Sequence, residues 1–227
     1  MLLAIDTSTT QTGLALYHEQ GVIAECTWQS GRNHTAQVLP QLDMLLRHTN
    51  LRRDSLRAIA VASGPGSWSG LRVGMSIAKA LVLAANLPLL GVGTLDVLAY
   101  AHAPSPLPVL PLIRLGRDRF ATAQFAAGDP PERGEADRNT TLEQLAAAID
   151  QPTLFCGDLD AAVRNELSAR LGDRARFPRL AANHRRAACL AEIAWQRWQR
   201  GETDDPVALE PIYLGEAVQT RSEPNRA

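Results

Sequence analysis

The stretch "ASGPGSWSGLRVG" (62–74) constrains the fold more than any other part of the chain. The run before it, "LRAIAVAS" (56–63), is mostly apolar, as a strand buried on both faces must be. Glycines and a proline then crowd a sharp turn, and a helical pattern over 70–86 begins with free backbone N–H groups. An anion could sit on such an end. The other reading is a packing turn with Ser69 as helix N-cap. Two familiar chemistries are excluded. A Walker loop ends in Gly-Lys-Ser/Thr, whereas Gly70 is followed by Leu71 and Arg72. A nucleophile elbow needs Gly-x-Ser-x-Gly, and the centre of 66–70 is Trp68.

The start of the chain offers a second candidate site. Residues 2–5 form an apolar strand ending in Asp6, the polar turn "TSTTQT" follows, and 13–17 and 21–28 read as further strands of an antiparallel meander. A carboxylate beside Thr and Ser hydroxyls in a hairpin turn can hold magnesium through water and take phosphate oxygens on its hydroxyls and N–H groups. It can equally be a polar turn, since Asp and Thr favour turns. His34 stands alone, because the i+4 position a metal-binding helix would use is Val38. No metal site and no catalytic set of Ser, His and Asp or of Cys and His is expected. His184, Arg185 and Arg186 with Arg197 and Arg200 make a basic patch, read as a solvated face. Trp195 and Trp198 are read as core or interface residues.

Between these landmarks, 33–48 has helical periodicity through Val38, Leu42 and Leu45, with a kink or restart expected at Pro40. A strand at 87–92 and a helix at 94–102 capped by Thr94 complete the first half. Four prolines in 104–111 mark a boundary, giving lobes of 1–105 and 106–227. The second lobe is expected to hold paired strands at 112–116 and 119–126 and a helix at 141–150 started by a Thr140–Glu143 capping box. It continues with a strand at 153–157, helices at 159–171 and 185–200, a last strand at 210–214 and a disordered tail from about 218. Both halves run strands first and helix after, which suggests two similar lobes.

The net charge of −1 gives no global field for nucleic acid or an anionic membrane. Three scattered cysteines suit a reducing cytoplasm. The N-terminus lacks the basic region of a signal peptide, and the run Ala80–Ala85 is far short of a membrane span, so a soluble, cytoplasmic protein with no membrane partner is expected.

"LLAIDTSTTQTGLAL", "HTAQVLPQLDMLL", "GPGSWSGLRVGMSIAKAL", "LPLLGVGTLDVLA" and "EPIYL", in that order, resemble the TsaB (YeaZ) family, a subunit of the bacterial machinery that makes threonylcarbamoyladenosine in tRNA. The match spans nearly all of 1–102 and returns near the C-terminus. The resemblance implies an α/β, actin-like and sugar-kinase-like (ASKHA) fold of two ribonuclease-H-like lobes with mixed sheets. It also implies a non-catalytic scaffold that activates a TsaD-type threonylcarbamoyltransferase, with a TsaE-type ATPase joining the pair. Alone, such a chain forms a homodimer, and it meets tRNA only through the complex. Arg114 stands where the family usually has Asp, Gly116 where it has Arg, and Gly215 where its C-terminal motif has Arg. These departures favour a scaffold over the alternative of an active ATPase or kinase. A peptidase is the weaker alternative.

On this reading no cofactor is required, and ATP or ADP with magnesium is held weakly, or by the partner. Asp6, Thr7, Ser8, Thr9, Gly66 and Ser67 would be the nucleotide or phosphate contacts. The partner face is expected on the two first-lobe helices: His34, Val38, Leu42 and Leu45 on one, and Gly70, Leu71, Arg72, Gly74, Met75 and Ala78 on the other. Gly70, Gly74 and Ala78 would let a partner backbone come close, and Arg72 would reach across to an acidic group or nucleotide.

Overall fold

Alternation along the first strands decides which residues face which layer. In this computed structural model, which describes residues 1–214, β1 (Leu2–Asp6), β2 (Gln11–His18) and β3 (Gly21–Gln29) form an antiparallel meander. Helix α1 (His34–His48) leads to β4 (Ala58–Gly64), which lies parallel to β1. Helix α2 (Trp68–Ala85) returns the chain to β5 (Leu89–Gly93), parallel to β4, and α3 (Thr94–Tyr100) follows. The sheet order is β3-β2-β1-β4-β5. Leu3, Ile5, Leu14, Leu16, Ile59 and Val61 point to one face, where α1 and α2 cover them. Leu2, Ala4, Ala15, Ala58 and Ala60 point to the other. This is the period of two that a strand imposes.

The second sheet repeats the plan. Its strands are β6 (Val109–Arg114), β7 (Phe120–Thr122), the short β8 (Phe125–Ala126) and β9 (Glu132–Arg133), and β10 (Arg138–Thr140). Helix α4 (Leu142–Ala147), β11 (Thr153–Gly157), helix α5 (Ala161–Leu171) and β12 (Ala175–Arg176) complete it. The order β10-β7-β6-β11-β12, with β11 parallel to both β6 and β12, matches the first sheet strand for strand. The α/β, two-sheet, ribonuclease-H-like expectation therefore describes the molecule.

The last helix, α6 (Ala187–Gln199), crosses back. Leu190, Ala191 and Ala194 pack on the alanine-rich face of the first sheet, so this helix belongs to the first core although the proline boundary assigned it to the second lobe. Small side chains on both partners let helix and sheet approach closely. Tyr17, Trp195 and Trp198 stack at the edge of this layer, with ring centroids 5.9 and 5.2 Å apart.

Several local expectations shift. Helix α1 runs through Pro40 without a break. Pro40 and Ala36 both lie on the exposed side, where water can take the carbonyl that proline leaves unbonded. Helix α2 begins at Trp68, so its N-cap is Ser67, whose hydroxyl accepts from Gly70 N–H at 3.3 Å, and not Ser69. The capping box is Thr141–Gln144, one residue beyond the expected pair. Thr94 does not cap α3, which starts after Gly93 with no side-chain cap. The segment 210–214 is extended but is not a strand; Ile212 N–H donates to Ser63 O at 2.8 Å, and Asn139 donates to Leu214 O at 2.7 Å. The expected tail from 218 lies outside the described residues. Helix α2, at 18 residues and mean hydropathy 1.2, is long and apolar enough to cross a membrane by length and composition alone. Here a third of it is buried within the fold.

Candidate functional site

The two glycine- and threonine-rich loops that stood apart in sequence are one structure. Asp6 ends β1 at 2% exposure, and its Oδ1 accepts from Ser8 N–H at 2.8 Å and from the Ser8 hydroxyl at 2.5 Å. The Thr7 hydroxyl donates to Gly70 O at 2.7 Å, and Ser67 N–H donates to Ser8 O at 2.6 Å. Three glycines make this contact possible. A Cβ on Gly66 would lie 2.3 Å from Ser8 O, one on Gly70 2.1 Å from Thr7 O, and one on Gly74 2.3 Å from the Thr7 hydroxyl. The glycine loop and the first turns of α2 are thus seated on the Thr7–Ser8 turn.

This seat overturns the expected partner face. His34, Val38, Leu42 and Leu45 are buried, as are Gly70, Leu71, Gly74, Met75 and Ala78. They pack on β1, β4 and the Thr7 turn within the lobe. Within that expected set, Arg72 alone is exposed, and its guanidinium lies 4.5 Å from the centroid of the Trp68 ring. His34 is not a surface group: its Nδ1 sits 2.7 Å from the Thr12 hydroxyl, and burial holds its pKa below the ordinary histidine value, opposed in part by Asp6.

What α1 and α2 show to solvent is a different set. Trp68 is 60% exposed and Leu83 73% on α2; Leu39 is 49% exposed and Met44 42% on α1. Both helices cover the same sheet face and touch each other. Ser69, Arg72, Ser76, Ala80, Ala84 and Ala85 are the other exposed residues of α2.

Between the lobes lies a small cleft of about 130 Å³, lined by Thr9, Thr10, Gln11, Gln29, Leu98, Gly157, Asp158, Asn183 and Arg185. Of the six expected nucleotide contacts, Thr9 alone lines it; the others face each other in the seated turn. An adenine nucleotide with magnesium, which the fold implies, does not fit these residues. Ligand pockets typically measure about 300–1,000 Å³. The Oδ2 atom of Asp6 has no partner among the described residues, but the Ser8 hydroxyl next to it already accepts from Arg185 Nη1 at 2.9 Å. Strand β6 ends in Arg114, paired with Asp160 at 2.8 Å, rather than in an acid. No group of three metal-ligating side chains occurs among the described residues. Burial pushes the Cys26 and Cys189 thiols up to about 11 and raises Cys156 as well, so none is poised as a thiolate nucleophile.

Two lobes of equivalent topology, each with a strand meander and parallel β-α-β crossing around a central cleft, define an actin-like fold of the ASKHA class. Matching the family model described as "TsaD: tRNA N6-adenosine threonylcarbamoyltransferase" over residues 15–218, the chain belongs to that family, within which it is of the TsaB (YeaZ) kind. It is 29% identical over 217 residues to the tRNA threonylcarbamoyladenosine biosynthesis protein TsaB of Bacillus subtilis (strain 168), covering 94% of this chain and 93% of that protein. The solved structure of YeaZ from Pseudomonas aeruginosa superimposes with a TM-score of 0.76 at 24% identity, covering 94% of this chain and 99% of that one. The fold extends to the activator of 2-hydroxyisocaproyl-CoA dehydratase from Clostridium difficile with bound ADPNP, at a TM-score of 0.53 and 8% identity over 90% of this chain and 98% of that one.

Sequence reasoning missed Arg185, Asp158 and Asn183 in the cleft and the outer residues Trp68, Leu39, Met44 and Leu83. One signal was available for the cleft. "CGD" (156–158) follows a strand with a glycine, as "SGP" (63–65) does in the first lobe.

Proposed function

We propose that the chain is a non-catalytic subunit of tRNA threonylcarbamoyladenosine biosynthesis, which binds and activates a TsaD-type threonylcarbamoyltransferase with a TsaE-type ATPase in attendance. The kinship with TsaB proteins supports the pathway. The observation that carries the scaffold role is the apolar outer face of α1 and α2, where Leu39, Met44, Trp68 and Leu83 stand exposed. Trp and Arg are the residue types that most often dominate binding energy, and Trp68 and Arg72 present both, stacked together. The same face closes a homodimer when the partner is absent. The chain requires no cofactor of its own; ATP or ADP with magnesium is held by the partner, tRNA is met through the complex, and the work is done in the cytoplasm.

Reconstitution tests this. The chain alone is expected to show no transferase, ATPase or peptidase turnover, and modification of tRNA adenosine is expected to depend on it when TsaD-type and TsaE-type proteins are supplied. Magnesium-dependent ATP turnover by the isolated chain, lost in Asp6→Ala, would contradict the scaffold reading.

A further inference from the structure

The cleft is filled from within. Arg185 lies in the segment that carries the chain from the second lobe to α6 on the first, and its side chain is 6% exposed. Its Nη1 donates to the Ser8 hydroxyl at 2.9 Å, and its Nη2 reaches Asp158 Oδ1 at 3.4 Å. Each partner is tied onward. The Ser8 hydroxyl donates to Asp6 Oδ1 at the end of β1. Asp158 Oδ2 accepts from Arg114 N–H at 2.9 Å, at the end of β6. One hydrogen-bonded line therefore joins the ends of the two topologically equivalent strands across the cleft.

The neighbours of Arg185 are anchored to opposite lobes. Asn183 makes a reciprocal amide pair with Gly157, its Oδ1 accepting at 2.8 Å and its Nδ2 donating at 2.9 Å. Arg186 pairs with Glu25 on β3 at 3.2 Å, and Glu25 also accepts from Ala188 N–H at the start of α6. Charge follows the same logic. Asp158 lines the cleft and pairs with the guanidinium directly, while Asp6, seated in the first-lobe turn, is reached only through the Ser8 hydroxyl. A rigid planar fork fixes the directions of two acceptors at once, which a rotatable ammonium on a flexible stem does not.

We propose that Arg185 is a built-in lobe lock: a side-chain cation that fixes the two lobes in one closed arrangement. The chain then presents both lobes as one rigid body whatever the nucleotide concentration. This goes beyond the docking role and does not depend on it.

Hydrogen exchange on the full chain tests the lock by mass spectrometry. In Arg185→Ala, amides of the Ser8–Gln11 turn and of Gly157–Leu159 are expected to exchange at least about tenfold faster, the scale of a lost charged hydrogen bond. Those of Leu3–Ile5 in the centre of the sheet should be unchanged, Arg185→Lys should recover part of the protection, and the control Arg186→Ala should spare both turns. Asp158→Asn serves if Arg185→Ala does not fold. It changes the second lobe only, yet should quicken exchange in Ser8–Gln11 of the first. Unchanged exchange in that turn overturns the lock. So does slowing of both turns in the native chain by added magnesium-ATP, because the cleft would then be operated by a ligand.

Discussion

The ends of β1 and β6 occupy the same place in two sheets of the same order, and the chain treats them in opposite ways. After β1 the turn is covered: α2 lies on Thr7 and Ser8 with glycines where any side chain would collide. After β6 the turn is open: Arg114 is exposed, stacked 4.9 Å from the Phe120 ring, and Gly116 has free space where a Cβ would go. The parallel strands β4 and β11 both end in a glycine of positive φ, Gly64 at 108° and Gly157 at 96°. Only the first is followed by a glycine-seated helix. Shared topology therefore fixes where strands end, while the residues after them decide whether that end becomes a packed joint or a solvent-facing hairpin.

Substitutions at the glycines should break this contrast most sharply. Gly74→Leu, with the Thr7 hydroxyl 2.3 Å from its Cβ, is expected to cost more than about 3 kcal/mol in urea unfolding, at or above the top of the usual overpacking range. Gly70→Ala and Gly66→Ala should each cost about 1–3 kcal/mol. Gly116→Ala in the second lobe should stay within about 0.5 kcal/mol. Equal costs in the two lobes would refute the distinction between covered and open turns.

The outer face gives the next effect, in binding rather than stability. Trp68→Ala is expected to weaken partner binding by at least about 2 kcal/mol, roughly thirtyfold. Because Trp68 contributes to the surface and not to the core, the urea midpoint should hardly move.

Helix caps sharpen the comparison at smaller amplitude. Ser67→Ala on α2 and Thr141→Ala on α4 should each cost about 1 kcal/mol. Ser67 holds the Thr7–Ser8 turn through its backbone N–H, which alanine keeps, so hydrogen exchange in that turn should stay unchanged in Ser67→Ala. Faster exchange there would show that cap and turn are coupled.

Acid supplies the smallest and most specific test. Burial lowers the pKa of His34, so the unfolded chain takes up a proton before the folded one does. The stability contributed by neutral His34 is complete above the unfolded value of 6.5 and is lost as pH falls through the lowered folded value. His34→Gln should flatten the fall in stability below pH 6.5, leaving a residual slope from His102, whose pKa burial also lowers. An unchanged slope would mean that His34 is hydrated.

Much of the frame was legible in the sequence. Strand positions, the glycine turn and the order of elements follow from apolar runs and breakers, and the family resemblance followed from the same motifs. The side on which α2 is buried was not legible. The helix carries Leu71, Met75 and Val82 on one side and Val73, Ile77 and Leu83 on others, so it is apolar nearly all round and its periodicity does not separate core from surface. A stripe of small residues marks a close approach without saying whose backbone approaches. Arg185 was hidden for a different reason. In "NHRRA" it looks like its neighbours His184 and Arg186, which are exposed, and its partner Ser8 lies 177 residues away. The caps at Ser67 and Thr141 missed by one or two residues because adjacent Ser and Thr offer equivalent side chains, and backbone direction chooses between them.

On the proposed function, α2 has an inner face that builds the lobe and an outer face that meets the partner. Isothermal titration of the TsaD-type transferase with the native chain and with Leu83→Lys tests it most directly. The lysine suits the C-terminal end of a helix, so the fold should be kept. Binding at least about tenfold weaker is expected for Leu83→Lys, on the scale of one lost apolar contact at an interface. Undiminished affinity of the variant would contradict it.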